Sequence, residues 1–400
     1  MDFLTYGIIA TFILLYGAVS KRLASTCITG PMLFVLFGYF LGKDTTALFT
    51  SRAHMLVYIT ANITLILILF SDASRINLSL FRKEYDLPQR LLSIGLPLTI
   101  ALGTVTGAYF VLHLPLWQAA VLATTLAPTD AALAQAVINL KTVPERIREA
   151  INVESGLNDG ICFPILLMFL SLADPEIPTS SFAYWTAFIS FQLVLGPLIG
   201  GVIGYLGGKL VNKATQRKWM SENFQHLSII ALSFMAFCFA DFLGGNGFIA
   251  AFFAGLIFGY VTKRILKPIS EFGESVSKLF ILLTFLLFGA ILVPEAITHF
   301  SYPALIYALI SLTVIRILPV AISLIGKKLP PYSRLYIGWF GPRGAASILY
   351  LLLVVERYNL SYESTIFEVT TLTVLLSVFL HGLSAVWASD RYSESLSINS

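Results

Sequence analysis

Long apolar runs, separated by short polar segments, make up almost the whole chain. Because a helix needs about 20 apolar residues to cross a bilayer, the runs predict about thirteen transmembrane helices. The pattern therefore indicates an all-α polytopic membrane protein. The predicted helix cores are 3–20, 26–41, 55–70, 91–112, 117–138, 147–172, 182–211, 227–243, 247–261, 279–293, 304–325, 336–355 and 366–387.

Composition supports this class. Of the 400 residues, 57% are hydrophobic and 12% are charged, about half the charged share of a soluble domain. The net charge of +4 fits positive loops in the cytoplasm better than a nucleic-acid interface. The start, Met1-Asp2-Phe3, lacks the basic region of a signal peptide, so we expect the first helix to be retained. Three scattered cysteines are predicted to pack as small apolar residues, without disulfide or metal: Cys27, Cys162 and Cys238.

Loop charges predict the topology. Lysine and arginine follow the odd-numbered helices, whereas the loops after even-numbered helices are neutral or acidic, except for Lys43 and Arg52. The positive-inside rule then places the N-terminus outside and the C-terminus in the cytoplasm. The basic residues used are Lys21, Arg22, Arg75, Arg82, Lys83, Arg90, Lys141, Arg146, Arg148, Lys209, Lys213, Arg217, Lys218, Lys263, Arg264, Lys267, Lys327, Lys328 and Arg334.

Two predicted helices are interrupted. The fifth contains Ala-Pro-Thr-Asp at 127–130, and the twelfth contains Gly-Pro-Arg-Gly at 341–344. Proline and glycine free backbone groups at such places. The breaks are seven helices apart, and this odd offset predicts two inverted repeats with a site at the breaks. We expect one transmembrane unit over 1–400, with a first repeat at 1–172 (helices 1–6), a linking helix 7 at 173–223, a second repeat at 224–388 (helices 8–13) and a short cytoplasmic tail at 389–400.

Five charged residues are predicted to lie near the middle of the membrane: Asp130, Glu154, Asp159, Arg316 and Arg343. Each is about seven to fifteen residues from a predicted helix end, roughly 10–20 Å deep. Ionised side chains at that depth cost several kcal/mol and are usually found where ions or protons move. The depth predicts one shared polar cavity.

Asp159 is the first candidate, because a carboxyl group at this depth could hold either a proton or a small cation. Ser155 stacks one turn earlier on the same helix face. Thr129 and the carbonyls freed by Pro128 could add the oxygen ligands that hard cations prefer, with Asp130 close by. The alternative is a buried acid that an internal arginine neutralises for structural reasons only.

Other charged residues have competing interpretations. Glu154 points about 100° away from Ser155, so we expect a structural ion pair with Arg316. Arg343 could balance carboxylates or the negative ends of half-helices, and a purely structural role is equally open. Asp72, at the end of the third helix, could attract cations or solvate a helix end.

Three motifs carry a resemblance to a known family: Thr129-Asp130, the run Glu-Ser-Gly-Leu-Asn-Asp-Gly at 154–160, and Gly-Pro-Arg-Gly at 341–344. The chain resembles the NhaP-type sodium/proton antiporters, within the monovalent cation/proton antiporter superfamily, over essentially its whole length. The resemblance implies a homodimeric inner-membrane protein of a prokaryote. It also implies thirteen helices, with a dimerisation domain and a six-helix core that moves during transport.

The resemblance also assigns roles to residues. It implies that Asp159 carries the cation and the proton, and that Asp130, Thr129 and Ser155 complete the cation site. Asn158 would mark the subgroup that exchanges one proton for one cation electroneutrally. Glu154 and Arg316 match the family's ion pair, and Asp72 stands where some members have a glutamate near the site.

Our sequence-based hypothesis is a secondary active antiporter that exchanges Na⁺ or Li⁺ for H⁺ by alternating access. The two ions compete for Asp159, and the expected role is pH and sodium homeostasis, without enzymatic activity, cofactor or nucleic-acid partner. One alternative is a K⁺/H⁺ antiporter of the same fold. Remote alternatives are a channel and an intramembrane aspartyl protease with Asp130 and Asp159 as its dyad.

Overall fold

A computed structural model describes residues 3–23, 26–42, 51–76, 85–130, 133, 143–174, 181–262, 266–327, 329–357 and 360–398. Over these residues the secondary structure is entirely helical. The elements are α1 Phe3–Leu23, α2 Gly30–Gly42, α3 Ser51–Ser74, α4 Asp86–Val111, α5 Leu116–Thr125, α6 Glu145–Ala173, α7 Phe182–Gln216, α8 Glu222–Phe242, α9 Gly247–Val261, α10 266–298, α11 Tyr302–Ser323, α12 in two halves, Pro331–Trp339 and Ala345–Arg357, and α13 Glu363–Ile398.

The described part of the chain confirms the predicted all-α membrane fold. Nine of its helices are long and apolar enough to cross a membrane, and three shorter apolar helices accompany them. With α5, these elements follow the thirteen predicted segments in order. The second half of the predicted fifth helix lies outside the described residues, apart from Leu133. The same holds for several predicted loop residues: Lys43, Arg82, Lys83, Lys141, Lys263, Arg264 and Lys328.

The structure differs from the prediction at the end of the chain. We expected a short tail over 389–400, whereas α13 continues as a helix to Ile398. Two contacts with the first half of α12 stabilise this extension. The hydroxyl of Ser389 lies 2.8 Å from that of Tyr336, and the hydroxyl of Tyr392 lies 3.0 Å from that of Ser333.

One group of helices packs backbone against backbone. A Cβ atom at Gly204 of α7 would overlap the backbone of Ala254 in α9, and one at Gly259 of α9 would overlap the backbone of Ser74 in α3. Glycine permits this close approach of helices in membranes. A similar contact joins α2 to α10. We call α2, α3, α7, α9 and α10 the scaffold.

The remaining central helices, α4, α5, α6, α11, α12 and α13, form a second group that we call the six-helix bundle. Side-chain hydrogen bonds join its members, such as the Tyr307 hydroxyl of α11, which donates to the carbonyl oxygen of Gly103 in α4 at 3.0 Å. Bundle and scaffold meet where α6 lies against α9. There Phe252 and Ile249 of α9 fill notches at Gly156 and Gly160 of α6. The bundle contains both interrupted helices.

Candidate cation site

The two interrupted segments contact each other directly. α5 ends at Thr125, and the residues up to Asp130 are not helical. The amide nitrogen of Asp130 donates to the carbonyl oxygen of Pro342 at 2.7 Å. The amide nitrogen of Ala345, the first residue of the second half of α12, donates to Oδ2 of Asp130 at 2.8 Å. A helix N-terminus thus holds one of the predicted site carboxylates, as helix dipoles favour.

Arg343 stabilises the same crossing. One guanidinium nitrogen donates to the carbonyl oxygens of Ala127 and Pro128, at 2.8 and 3.1 Å. The backbone amide of Arg343 donates to the hydroxyl of Ser377 in α13 at 2.7 Å. The side chain is fully buried and does not line the cavity described below. Arg343 therefore supplies hydrogen-bond donors to the carbonyl groups freed at the first break, and its contacts hold three segments together.

The glycines of the second break leave room for charged side chains. A Cβ atom at Gly341 would overlap the guanidinium of Arg316, and one at Gly344 would overlap the carboxylate of Asp130. The Gly-Pro-Arg-Gly sequence is thus a steric requirement of the site as well as a helix break.

Helix α6 forms the other side of the candidate site. The hydroxyl oxygens of Thr129 and Ser155 are 2.8 Å apart, and Nδ2 of Asn158 donates to the Thr129 hydroxyl at 2.8 Å. Asp159 is 4% exposed, and its Oδ1 has no hydrogen-bond partner among the described residues. The hydroxyl of Tyr350 in α12 donates to the backbone carbonyl of Asp159. A buried carboxylate oxygen is left available to a ligand.

A cavity of about 10 Å³ lies at this point, enough for about one water-sized particle. Its polar lining residues are Asp72, Asp130, Asn152, Ser155 and Asp159. Sequence analysis missed Asn152, although it lies seven residues before Asp159 and therefore on the same helix face. Of the predicted ligands, Thr129 does not line the cavity, but its hydroxyl contacts that of Ser155, which does.

Glu154 and Arg316 form a bidentate ion pair away from the cavity, with nitrogen–oxygen distances of 2.6 and 2.8 Å. Both side chains are only 2% exposed. Arg316 follows an interruption of α11 at Thr313. The pair joins α6 to α11 within the six-helix bundle.

A family model described as "Sodium/hydrogen exchanger, transmembrane" matches residues 8–390. The chain belongs to this family. The matched range includes both interrupted helices and every residue of the candidate site.

The chain is also similar to several named antiporters, at 25–26% sequence identity. It is 26% identical over 390 residues to the K(+)/H(+) antiporter NhaP of Alkalimonas amylolytica, and 25% identical over 391 residues to the K(+)/H(+) antiporter NhaP2 of Shewanella sp. (strain ANA-3). These alignments cover 96% and 97% of the chain but only 66% of each relative. The Na(+)/H(+) antiporter of Schizosaccharomyces pombe is 26% identical over 273 residues, which cover 61% of the chain and 57% of that protein.

The fold matches a solved structure. The sodium proton antiporter MjNhaP1 from Methanocaldococcus jannaschii at pH 8 superposes with a TM-score of 0.81 at 20% identity. The match covers 98% of this chain and 99% of that one. It shows that the helices have the arrangement of that protein.

Proposed function

We propose that the protein is a secondary active antiporter that exchanges Na⁺ or Li⁺ for H⁺. The observation that carries the proposal is the cavity itself. Three carboxylate residues and one hydroxyl residue line a space of about 10 Å³ where two broken helices cross. Such oxygen-lined sites at broken helices suit small hard cations.

Asp159 is the residue that both ions occupy in turn. Its free Oδ1 atom, the Ser155 hydroxyl and the Asp130 carboxylate supply oxygens at the cavity, and Asp72 lies on the α3 wall. Moving the empty, charged carboxylate through a low-dielectric barrier costs several kcal/mol. Obligatory exchange follows, because the bundle moves only when Asp159 holds a cation or a proton.

Alternating access requires the six-helix bundle to move against the scaffold. On the predicted topology, with the N-terminus outside and the C-terminus in the cytoplasm, Asp72 and Asn152 lie on the inner side of Asp159. The outer side is closed by aromatic packing, with the rings of Phe163 and Phe248 centred 5.9 Å apart. Asp72 and Asn152 are partly exposed whereas Asp159 is buried, so we infer that this conformation loads and releases ions on the inner side.

The remaining parts of the proposal are inferred from the resemblance in sequence. The protein functions as a homodimer in the inner membrane of a prokaryote, and its halves are inverted repeats. Exchange is electroneutral, with one proton for one cation, as the Asn158-Asp159 pair implies. Asn158 and Arg343 position the Thr129 and Pro128 segment without lining the cavity.

A K⁺/H⁺ antiporter is the second candidate. It is favoured by relatives of that name that align with 96–97% of the chain. The site residues would be the same, since K⁺ also requires oxygen ligands, and selectivity would depend on how far the cavity widens.

The deciding experiment uses purified full-length protein in sealed vesicles that contain a pH-sensitive dye. An outward Na⁺ gradient, and then an outward K⁺ gradient, is imposed with and without a clamped membrane potential. We expect acidification with Na⁺ that does not respond to the potential, and none for Asp159→Asn. A K⁺ response alone would establish the second candidate. A response to the potential would overturn the 1:1 stoichiometry, and cation-dependent flux in Asp159→Asn would overturn the assignment of the carrier residue.

A further inference from the structure

The carbonyl oxygen of Gly160, next to the carrier residue Asp159, lacks the usual donor four residues later in its own helix. In an α-helix this oxygen would accept from the amide four residues later, but that residue is Pro164, which has no N–H group. Gly160 is buried, so a missing donor would cost free energy comparable to a lost hydrogen bond.

A scaffold residue supplies the missing donor. Nδ2 of Asn246 donates to the Gly160 carbonyl at 2.9 Å. The same amide caps α9, with Oδ1 accepting from the backbone N–H of Ile249 at 3.0 Å, and Nδ2 also faces Oε1 of Gln192 in α7 at 3.4 Å. Both partners of Nδ2 are acceptors and the partner of Oδ1 is a donor, so the amide orientation follows from its contacts.

Asn246 lies in the turn between α8 and α9, yet its contact with Gly160 is deep in the membrane. Gly160 is thirteen residues before the end of α6 at Ala173, which places this contact roughly 20 Å from that helix end. Asn246 is 2% exposed and Gln192 is 6% exposed. Polar side chains at such depth are costly and are usually retained for a function.

We propose that Asn246 is a positioning residue that latches the carrier helix α6 to the scaffold in the conformation described here. The inference rests on the proposed alternating access, in which α6 moves past α9. The bond from Asn246 to Gly160 joins the moving bundle to the fixed scaffold, so it breaks at each half-cycle. When the outer side opens, water reaches the Gly160 carbonyl and replaces the amide, which keeps the two conformations close in free energy.

The chain offers a matched control for this latch. Nδ2 of Asn212 in α7 donates to the carbonyl oxygen of Val261 at the other end of α9, at 2.7 Å. That bond is of the same chemical type but lies entirely within the scaffold, so it does not break when the bundle moves. Replacing Asn212 removes a similar contact without changing the balance between the two conformations.

The test compares Asn246→Ser with Asn212→Ser in the full-length protein. Serine retains an N-cap oxygen for Ile249 but is too short to reach Gly160. The three native cysteines are replaced, a cysteine is introduced at Asn152 on the inner wall of the cavity, and its rate of reaction with a membrane-impermeant maleimide is measured. One lost buried hydrogen bond changes the ratio of the two conformations by about tenfold. Because the conformations are close in free energy, we expect Asn246→Ser to slow labelling about fivefold and Asn212→Ser to change it less than twofold.

Pro164→Ala provides the internal check. Alanine restores an N–H group that can bond the Gly160 carbonyl within α6, so Asn246→Ser in that background should slow labelling less than twofold. Equal labelling in Asn246→Ser and Asn212→Ser would overturn the latch, as would an undiminished effect in the Pro164→Ala background. The vesicle flux of the wild-type protein is measured in parallel. Its absence would refute the proposed function, whereas the labelling rates test the latch separately.

Discussion

Gly344 lies against Asp130 so closely that a Cβ atom there would overlap the carboxylate. The same carboxylate accepts a hydrogen bond from the backbone of Ala345, one residue further along. The second break of the chain therefore fixes the position of a carboxylate from the first break by shape as well as by hydrogen bonding.

Gly344→Ala should consequently reduce cation-dependent proton flux by about tenfold or more. The added methyl group displaces the Asp130 carboxylate from the Ala345 amide and from the cavity, and misplacement by about 1 Å is enough to lose that much activity. Flux is measured in vesicles with equal amounts of folded protein. Gly201→Ala is the control, because a Cβ atom at Gly201 has no neighbour within 4 Å. Wild-type flux in Gly344→Ala would contradict this account of the site.

Breaking the ion pair between Glu154 and Arg316 should destabilise the protein. Glu154→Gln leaves an uncompensated guanidinium in a buried site, at a cost of about 3–5 kcal/mol, and a clearly lower unfolding temperature in detergent is expected. Combining Glu154→Leu with Arg316→Met should recover much of the loss, because no buried charge remains.

The control for this prediction is the pair of Arg75 and Glu274, whose side chains are 46% and 22% exposed. Arg75→Gln should cost less than about 1 kcal/mol, because water screens the pair. If Glu154→Gln unfolds at the wild-type temperature but loses transport, the pair acts in transport and not in stability.

Ser155→Ala should raise the half-saturating Na⁺ concentration by about tenfold and leave the maximal rate within about twofold, since one cation ligand is lost. Thr129→Ala should have a smaller effect, because Thr129 lies behind the cavity wall. Ser347→Ala serves as the control: Ser347 is fully buried in α12 but does not line the cavity. A larger effect of Thr129→Ala than of Ser155→Ala would show that the transported ion binds deeper than the cavity.

Competition for one carboxylate predicts how the pH profile depends on Na⁺. Low pH inhibits because protons occupy Asp159, and high pH inhibits because protons no longer displace the cation. At Na⁺ concentrations well above half-saturation, each tenfold rise in Na⁺ should shift the acidic limb of the pH profile to lower pH. The shift is about one pH unit if one proton competes with one cation. Initial rates over a grid of pH and Na⁺ measure this slope. A slope near one half would mean that each cation displaces two protons, so that a second carboxylate releases its proton as well. Asp72→Asn would then test whether that group is Asp72.

Much of the fold could be predicted from the sequence because a bilayer allows few solutions. Each apolar run of sufficient length must satisfy its backbone polar groups internally, so the run becomes a helix. Pro128 and the sequence at 341–344 identified the interruptions, and the depth of Asp159 and Glu154 identified them as buried acids. The extension of α13 to Ile398 was not predicted, because it is stabilised by hydrogen bonds from Ser389 and Tyr392 to distant residues of α12.

The site was only partly predictable, since helix periodicity gives the face of a residue but not its neighbours. Ser155 and Asp159 share a face of α6, and both line the cavity. Thr129 was expected beside them but lies one layer further back. The contact between Ser377 and Arg343 had no signal in the local sequence, because it depends on how two helices pack.

The sequence by itself determined the membrane class, the order of the helices, the two breaks and the acids near mid-membrane, because these follow from local hydrophobicity, backbone chemistry and the cost of buried charge. Only the tertiary structure decided which of those groups share a cavity and which support it. It also decided that Asn246 bonds the carbonyl freed by Pro164, although Asn246 and Gly160 are 86 residues apart. Such contacts depend on the packing of distant segments, and local sequence carries no record of them.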